Sequence, residues 1–302
     1  MARGTRNSRK MSRAQPAEGF PSMVSGQYRR IRREYLLIPA LLFLAAVFAY
    51  PMIDIVWRSF AGAGGISLVH YRQVIDHPVY LRVFEITFEI AFTVTVVTLI
   101  LGYPVAYFLA GARKRVANAI MACVLLSLFT NILVRTYAWM IILGPEGVLN
   151  QMLHLAGLGV ANLLFNRYGV LIGMAYALLP YMVLTLYSVM RGIDRSYLRA
   201  ARNLGASDWK AFWHVFLPMS LPGVVGGSLL VFILAVGYFI TPRLLGGPRD
   251  QMIAMVIEQQ VELGVNWGFA SALAIILLLL TTAGFILYDR VVGLKTLLES
   301  KV

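Results

Sequence analysis

The sequence predicts an all-α, polytopic membrane protein with six transmembrane helices. Of its 302 residues, 59% are hydrophobic and only 14% are charged, and the mean hydropathy is +0.72. Soluble domains are about half apolar and about a quarter charged. Because the apolar residues here are gathered into long runs, their excess indicates a chain that crosses the membrane several times.

Six apolar runs are each predicted to form one transmembrane helix. Each has roughly 20 residues or more, enough to cross a hydrocarbon core about 30 Å thick at about 1.5 Å per residue. They must be helical, because lipid offers no hydrogen-bond partner to the backbone. Gly223 and Gly227, four apart in the fifth run, predict a close helix contact. The predicted spans are residues 36–57, 88–110, 117–141, 169–189, 221–241 and 268–288.

The distribution of Lys and Arg predicts that both termini are cytoplasmic. Four alternate segments hold 20 of the 27 basic residues, whereas the three loops between them hold six and Arg135 lies within the third span. Cytoplasmic segments carry such an excess. The basic segments are 1–35, 111–116, 190–220 and 289–302, and the others are 58–87, 142–168 and 242–267.

The predicted domain organisation is a membrane domain, 36–288, between two cytoplasmic tails. The N-terminal tail, 1–35, is basic and poor in apolar residues, so part of it is expected to be disordered. The first span is too long for the apolar region of a signal peptide, which predicts an uncleaved anchor. Met11 and Met23 are alternative translation starts. The C-terminal tail is 289–302.

The composition argues against catalysis by this chain. The four histidines are scattered, none lies within a predicted span, and Cys123 is the one cysteine, so neither a metal site nor an intramembrane enzyme is predicted. No Gly-Lys pair occurs, which excludes a P-loop for ATP. The net charge of +13 follows from the basic inner segments, and we expect no nucleic-acid partner.

The stretch YLRAARNLGASDWKAFWHVFLP, residues 197–218, is charged and helix-forming although it lies between two apolar runs. Gly205 predicts the end of a first helix. Ser207 as N-cap and Asp208 in the first turn predict a second helix, which Leu217-Pro218 is expected to end. An alternative interpretation is an interfacial amphipathic helix that only anchors a loop.

The spacing in this stretch resembles the EAA loop of permease subunits of binding-protein-dependent ABC importers. The matching pattern is Ala200-Ala201, three residues, Gly205, nine residues, then Val215-x-Leu217-Pro218. The resemblance implies a coupling helix that docks on an ATPase. Arg199 stands where the family usually has Glu, so the ion pair of that Glu is not implied. The residues assigned to coupling are Tyr197, Arg199, Ala200, Ala201, Gly205, Asp208, Leu217 and Pro218.

Three further segments, LGYPVAYFLA (101–110), LVRTYAWMIILG (133–144) and GYFITPRLLGGP (237–248), resemble the spermidine/putrescine branch of these importers. The resemblance implies the type I permease architecture in a bacterial inner membrane and a polyamine substrate. It also implies two copies of an ATPase that binds ATP and Mg²⁺, a second and usually different permease, and an extracytoplasmic binding protein. Membrane lipid surrounds the chain.

Six polar or aromatic residues in or near the spans are candidates for the substrate path. An arginine within a span tends to pair or to face a cavity, acidic side chains suit a polycation, and aromatic faces bind cations. The alternatives are that the carboxylates are solvated, that the arginine reaches the headgroups, and that the aromatics form an interfacial belt. The candidates are Asp54, Glu89, Arg135, Tyr137, Trp139 and Tyr238.

A secondary carrier or channel for small cations, working without an ATPase, is the alternative function. Carriers often contain an inverted repeat, and no convincing internal repeat is evident. An assembly or scaffold protein is a further alternative, against which the matched loop pattern argues.

Overall fold

The computed structural model describes residues 37–62 and 65–292. The predicted N-terminal tail, 1–35, lies outside the described residues, and of the C-terminal tail only 289–292 are described, as part of the last helix. The elements in chain order are α1 (Ile38–Phe60), β1 (Ala61–Gly62), β2 (Gly65–Ile66), α2 (Val69–Asp76), α3 (Pro78–Gly111), α4 (Lys114–Phe129), α5 (Ile132–Leu143), α6 (Val148–Leu155), α7 (Arg167–Met190), α8 (Ser196–Asn203), α9 (Asp208–Ala211), a π-helix (Phe212–Phe216), α10 (Leu217–Val236), α11 (Ile240–Leu245), α12 (Ile253–Glu262) and α13 (Trp267–Val292).

Six helical stretches among the described residues are long and apolar enough to cross a bilayer, which confirms the predicted number. Each of them overlaps one predicted span. The third covers Ile132–Leu155, where α5 and α6 follow each other, and it shares only residues 132–141 with the predicted span 117–141. The fifth begins at Asp208, earlier than predicted, because α9, the π-helix and α10 are continuous.

The prediction of one uninterrupted third span, 117–141, is wrong. Helix α4 ends at Phe129 and α5 begins at Ile132. Between them Asn131 caps α5, because its side-chain oxygen accepts a hydrogen bond from the Leu133 N–H at 2.8 Å. An asparagine side chain competes for backbone donors and favours the N-cap over the helix interior. A local capping bond therefore divides a run that is continuous in hydropathy.

Described residues 37–51 belong to one compact unit, and the described residues from Met52 onward belong to a second. The first unit contains the beginning of α1, whose large side chains are exposed, among them Phe43 and Phe48. Exposed apolar side chains on a helix of this length suit contact with lipid.

The core of the second unit lies where α3, α7 and α10 pack together. Buried residues from all three helices form one apolar cluster, including Ile90, Met182 and Val231. Small residues allow this approach: a Cβ on Gly223 of α10 would lie 3.0 Å from Val189 Cβ, and one on Gly227 would lie 2.9 Å from Met182 Sδ. The predicted close contact at Gly223 and Gly227 is confirmed, as expected for helices that pack in lipid.

A buried hydrogen bond attaches the start of α12 to α3. The Ile253 N–H donates to Thr87 Oγ1 at 2.8 Å, and both residues are fully buried. We expect Thr87→Val to destabilise the folded protein by about 1–3 kcal/mol, since a buried backbone N–H would lose its acceptor.

The measurement is the thermal stability of the purified protein in detergent. Thr93→Val is the matched control, because Thr93 lies on the same helix and donates to the Glu89 carbonyl of its own helix at an exposed position. Equal melting temperatures for the two variants would contradict the assigned role of Thr87.

Candidate functional site

The stretch predicted to couple the chain to an ATPase begins with the short helix α8. Asp194 holds its first turn, because Oδ1 accepts a hydrogen bond from the Ser196 N–H at 2.8 Å. This backbone hydrogen bond, with a second one from the Ser196 side chain, lowers the pKa of the Asp194 carboxyl. Leu198 faces inward and belongs to the apolar core, which fixes the helix against the protein.

A Schellman motif ends α8 at Gly205, as the position of this glycine predicts. The Gly205 N–H donates to the Arg202 carbonyl at 2.9 Å, and the Ala206 N–H donates to the Ala201 carbonyl at 3.0 Å. The φ of Gly205 is +89°, a conformation that residues with a side chain rarely adopt. The chain therefore turns sharply over a few residues.

The second helix begins as predicted, at Ser207, whose Oγ accepts a hydrogen bond from the Lys210 N–H at 3.4 Å. Across the turn, Arg202 forms an ion pair with Asp208 at 2.7 Å. Both side chains are well exposed, so this pair adds little stability.

The prediction that Leu217-Pro218 ends the second helix is wrong. The chain passes from α9 through the π-helix Phe212–Phe216 into α10, and Pro218 lies in the first turn of α10. The Leu217 N–H donates to the Phe212 carbonyl. A π-helical turn, wider than an α-helical one, thus lies directly before the proline.

Aromatic side chains attach this stretch to α3. The ring of Phe212 lies 5.3 Å from that of Tyr107 and 6.1 Å from that of Tyr103, and Phe216 lies 4.8 Å from Tyr107. The arrangements are edge-to-face, the favoured geometry for aromatic pairs. The Tyr103 hydroxyl also hydrogen bonds with Ser220 of α10 at 2.8 Å. The stretch is therefore in direct contact with α3 and α10.

The predicted coupling residues form an exposed surface around the turn. Leu204, which the sequence reasoning missed, is 90% exposed beside Gly205. A large apolar side chain at a sharp turn is the signal that identifies it. Ala201 and Leu217 are half-buried, and the remaining predicted residues are exposed: Tyr197, Arg199, Ala200, Gly205, Asp208 and Pro218.

Three of the candidate substrate-path residues lie close together. The guanidinium carbon of Arg135 lies 5.9 Å from the ring centre of Tyr176, and Trp139 contacts Tyr176 edge-on at 5.4 Å. Tyr238 lies within electrostatic reach of Arg135. Arg135 Nη1 also donates to the Ser127 carbonyl at 3.2 Å. The arginine thus bonds within the protein, and its charge lies against an aromatic face.

The other three path candidates have different neighbours. Tyr137 borders a cleft with Arg243 and Glu258, which form an ion pair. Two further ion pairs fix the acidic candidates: Glu89 with Arg167 at 2.6 Å and Asp54 with Arg58 at 2.6 Å.

Glu262 interacts with Glu258 one turn away on α12. The protonated Glu262 carboxyl donates a hydrogen bond to Glu258, and this bond together with the repulsion between the two carboxylates raises the pKa of Glu262. Across residues 37–62 and 65–292, no group of three or more His, Cys, Asp or Glu side chains is placed to hold a metal ion.

The six long apolar helices of the described residues define a multi-pass membrane protein. Residues 99–293 match the family described as the inner membrane component of binding-protein-dependent transport systems. The chain belongs to this family, and it is a non-catalytic, multi-pass inner membrane permease component.

Two relatives and one solved structure extend this result. The chain is 34% identical over 267 residues to the spermidine/putrescine transport system permease protein PotB of Haemophilus influenzae, covering 85% of this chain and 88% of the relative. It is 35% identical over 240 residues to PotB of Escherichia coli, covering 78% and 85%. The fold matches a chain in the crystal structure of a bacterial alginate ABC transporter in complex with its periplasmic protein, with a TM-score of 0.69, 20% identity and coverage of 87% of this chain and 96% of that one.

Proposed function

We propose that this chain is the permease of an ATP-driven importer for a polyamine such as spermidine or putrescine. The substrate assignment is supported by identities of 34% and 35% to two PotB permeases over most of the chain. Two copies of a separate ATPase bind ATP and Mg²⁺, an extracytoplasmic binding protein delivers the solute, and a second permease completes the pore.

The stretch from Ser196 to Pro218 is the proposed contact with the ATPase. The observation that carries this proposal is the exposed Schellman turn, with Leu204 90% exposed and Gly205 at a φ of +89°. A water-exposed leucine beside a fixed turn suits insertion into a groove of a partner. The aromatic contacts of Phe212 with α3 then transmit the motion of the ATPase to the membrane helices.

The orientation follows from the same proposal. With residues 190–220 on the ATPase side, both termini are cytoplasmic, as the excess of Lys and Arg in alternate segments favours. The loops around α2, α6 and α12 then face outward.

Copurification tests the assembly. The tagged chain is isolated from its native membrane in a mild detergent, and the associated proteins are identified by mass spectrometry. We expect a P-loop ATPase and a second permease, and ATP-dependent uptake of labelled spermidine by proteoliposomes that contain the complex and its binding protein. Isolation of the folded chain alone, with uptake driven by an ion gradient, would support the secondary carrier instead.

We further propose that Arg135, Trp139 and Tyr238 border the substrate path, with Tyr137, Glu89 and Asp54 nearer its outer end. In this arrangement Trp139 and Tyr176 offer ring faces to an ammonium group, and Arg135 occupies one of them while substrate is absent. When a substrate ammonium group displaces the Arg135 guanidinium from the ring, one cation–π contact replaces another.

Trp139→Leu is expected to raise the KM for spermidine uptake about tenfold, because a cation–π contact in a site shielded from water is worth about 1–2 kcal/mol. The measurement is the initial rate of uptake against substrate concentration at a saturating level of binding protein. Phe129→Leu is the control, because this aromatic side chain is 85% exposed at the end of α4. A KM unchanged by Trp139→Leu would remove Trp139 from the path.

A further inference from the structure

Three arginines from distant parts of the sequence line one cleft on the proposed outer side. Arg82 comes from the second turn of α3, Arg167 from the first residue of α7, and Arg249 from the loop between α11 and α12. The cleft has a volume of about 600 Å³, and Asp250 is the one carboxylate among its lining residues. The lining is therefore positively charged.

This convergence is unusual for the outer side of a membrane protein, where basic residues are scarce. The three loops assigned to that side hold six Lys and Arg residues in all, and half of them line this cleft. Since the three come from separate segments, the fold brings them together. A cleft of this composition suits a ligand with carboxylate groups, which guanidinium binds through paired hydrogen bonds.

Neighbouring carboxylates hold two of the arginines in position. Arg82 pairs with Glu85 at 2.5 Å on the same helix, and Arg167 pairs with Glu89 at 2.6 Å. Neither glutamate is among the lining residues of the cleft. These pairs reduce the net charge nearby, and each guanidinium group still lines the cleft.

Arg249 is the arginine most available to a ligand. It is exposed, and no ion pair to it is found within residues 37–62 and 65–292. The carboxylate of Asp250 next to it accepts a hydrogen bond from the Gly247 N–H at 3.1 Å, which shapes the loop. The N-termini of α3 and α7, both long helices, add partial positive charge at the cleft.

The length of α3 indicates that the cleft stands above the lipid. This helix has 34 residues, about 51 Å at 1.5 Å per residue, whereas the hydrocarbon core is about 30 Å thick. Its far end is followed by the basic run Arg113-Lys114-Arg115, which marks the inner surface. The first turns of α3, with Arg82, therefore extend into water, where a soluble partner has access.

We propose that this cleft binds acidic side chains on the surface of the extracytoplasmic binding protein and fixes its docking on the permease. The proposal rests on the proposed function, because it names the surface that one partner of the importer uses. Complementary charge at such a surface raises the rate of association and makes binding sensitive to salt.

The test uses the complete importer in lipid nanodiscs, titrated with its purified extracytoplasmic binding protein. The measured quantity is the concentration of binding protein that gives half-maximal stimulation of ATP hydrolysis. Arg249→Glu is expected to raise this concentration at least tenfold, and the uncharged Arg249→Gln about threefold. The dependence on salt should weaken in both variants, since they remove a charge from the contact.

Arg72→Glu is the matched control. Arg72 is also an exposed arginine of a proposed outer segment, but it pairs with Asp76 on α2 and does not line the cleft. Its substitution is expected to leave the half-maximal concentration within about twofold of wild type. Equal effects of Arg72→Glu and Arg249→Glu would overturn the proposal.

Four further outcomes would also overturn it. If the effect of Arg249→Glu follows the fraction of anionic lipid in the nanodisc, the cleft binds lipid headgroups. If Arg249→Glu changes only the KM for solute at saturating binding protein, the cleft contacts the solute. If the wild-type importer shows no stimulation at all, the proposed function itself fails and this inference fails with it. Normal stimulation with unchanged half-maximal concentrations would refute the cleft alone.

Discussion

Gly205→Asp is expected to abolish transport and the stimulated hydrolysis of ATP while the chain still inserts into the membrane. Gly205 has a φ of +89°, so any side chain there strains the backbone by about 1–2 kcal/mol. A Cβ at this position would meet no other atom within 4 Å, so no clash within the chain is expected. The aspartate instead places a charge beside Leu204, on the surface proposed to enter the ATPase.

Two variants separate strain from contact. Gly157→Asp, in the loop after α6, introduces the same change at a φ of +73° where a Cβ also has open space, and we expect nearly normal transport. Gly205→Asn tests the turn itself, because asparagine tolerates this conformation better than most residues, and it should retain part of the activity. The assays are uptake and ATP hydrolysis by the reconstituted complex. Normal transport by Gly205→Asp would contradict the coupling assignment.

Gly223→Val is expected to weaken the packing of α10 on α7 and to lower the thermal stability of the folded protein. A Cβ at residue 223 would lie 3.0 Å from Val189 Cβ and 3.3 Å from Val189 Cγ2. A valine in a helix has one strongly preferred rotamer, so Val189 cannot move aside cheaply. Overpacking of this kind costs about 1–3 kcal/mol or more.

The matched control is Gly226→Val on the same helix. A Cβ there would meet only Thr185 Cγ2, at 3.8 Å, which is ordinary contact, and both changes alter intrinsic helix propensity equally. Fluorescence-detected size-exclusion chromatography after stepwise heating measures the folded fraction. Gly223→Val should melt several degrees below Gly226→Val, and coincident curves would show that this contact does not limit packing.

The number of spans was predictable, because a helix that crosses the bilayer needs a long run of apolar residues. Such runs are visible directly in the sequence. The break at Thr130 and Asn131 was not predictable, since hydropathy averaged over 20 residues hides one capping side chain. The course of the chain at Pro218 was not predictable either. Proline usually marks a helix end, but the π-helical turn before it depends on packing between Phe212, Phe216 and Tyr107.

The inner stretch was predictable in outline because its signals are local. Gly205 and Ser207 act through neighbouring backbone groups, so residue type and spacing were sufficient. The residues that attach the stretch, Tyr103 and Tyr107, are about a hundred positions away in the sequence, and no pattern links them to it. The cleft of Arg82, Arg167 and Arg249 was hidden for the same reason.

The π-helix at Phe212–Phe216 determines how α8, the Gly205 turn and α9 are rotated about the helix axis relative to α10. A π-turn closes its hydrogen bond over one more residue than an α-turn. If that residue were removed and the helix became regular, the preceding segment would rotate by about 100° about the axis. Leu204 and Gly205 would then point to a different side of the molecule. The direction in which Leu204 and Gly205 point thus depends on the number of residues between them and α10. Many substitutions would leave this direction unchanged, but a single deletion in the π-helix would not.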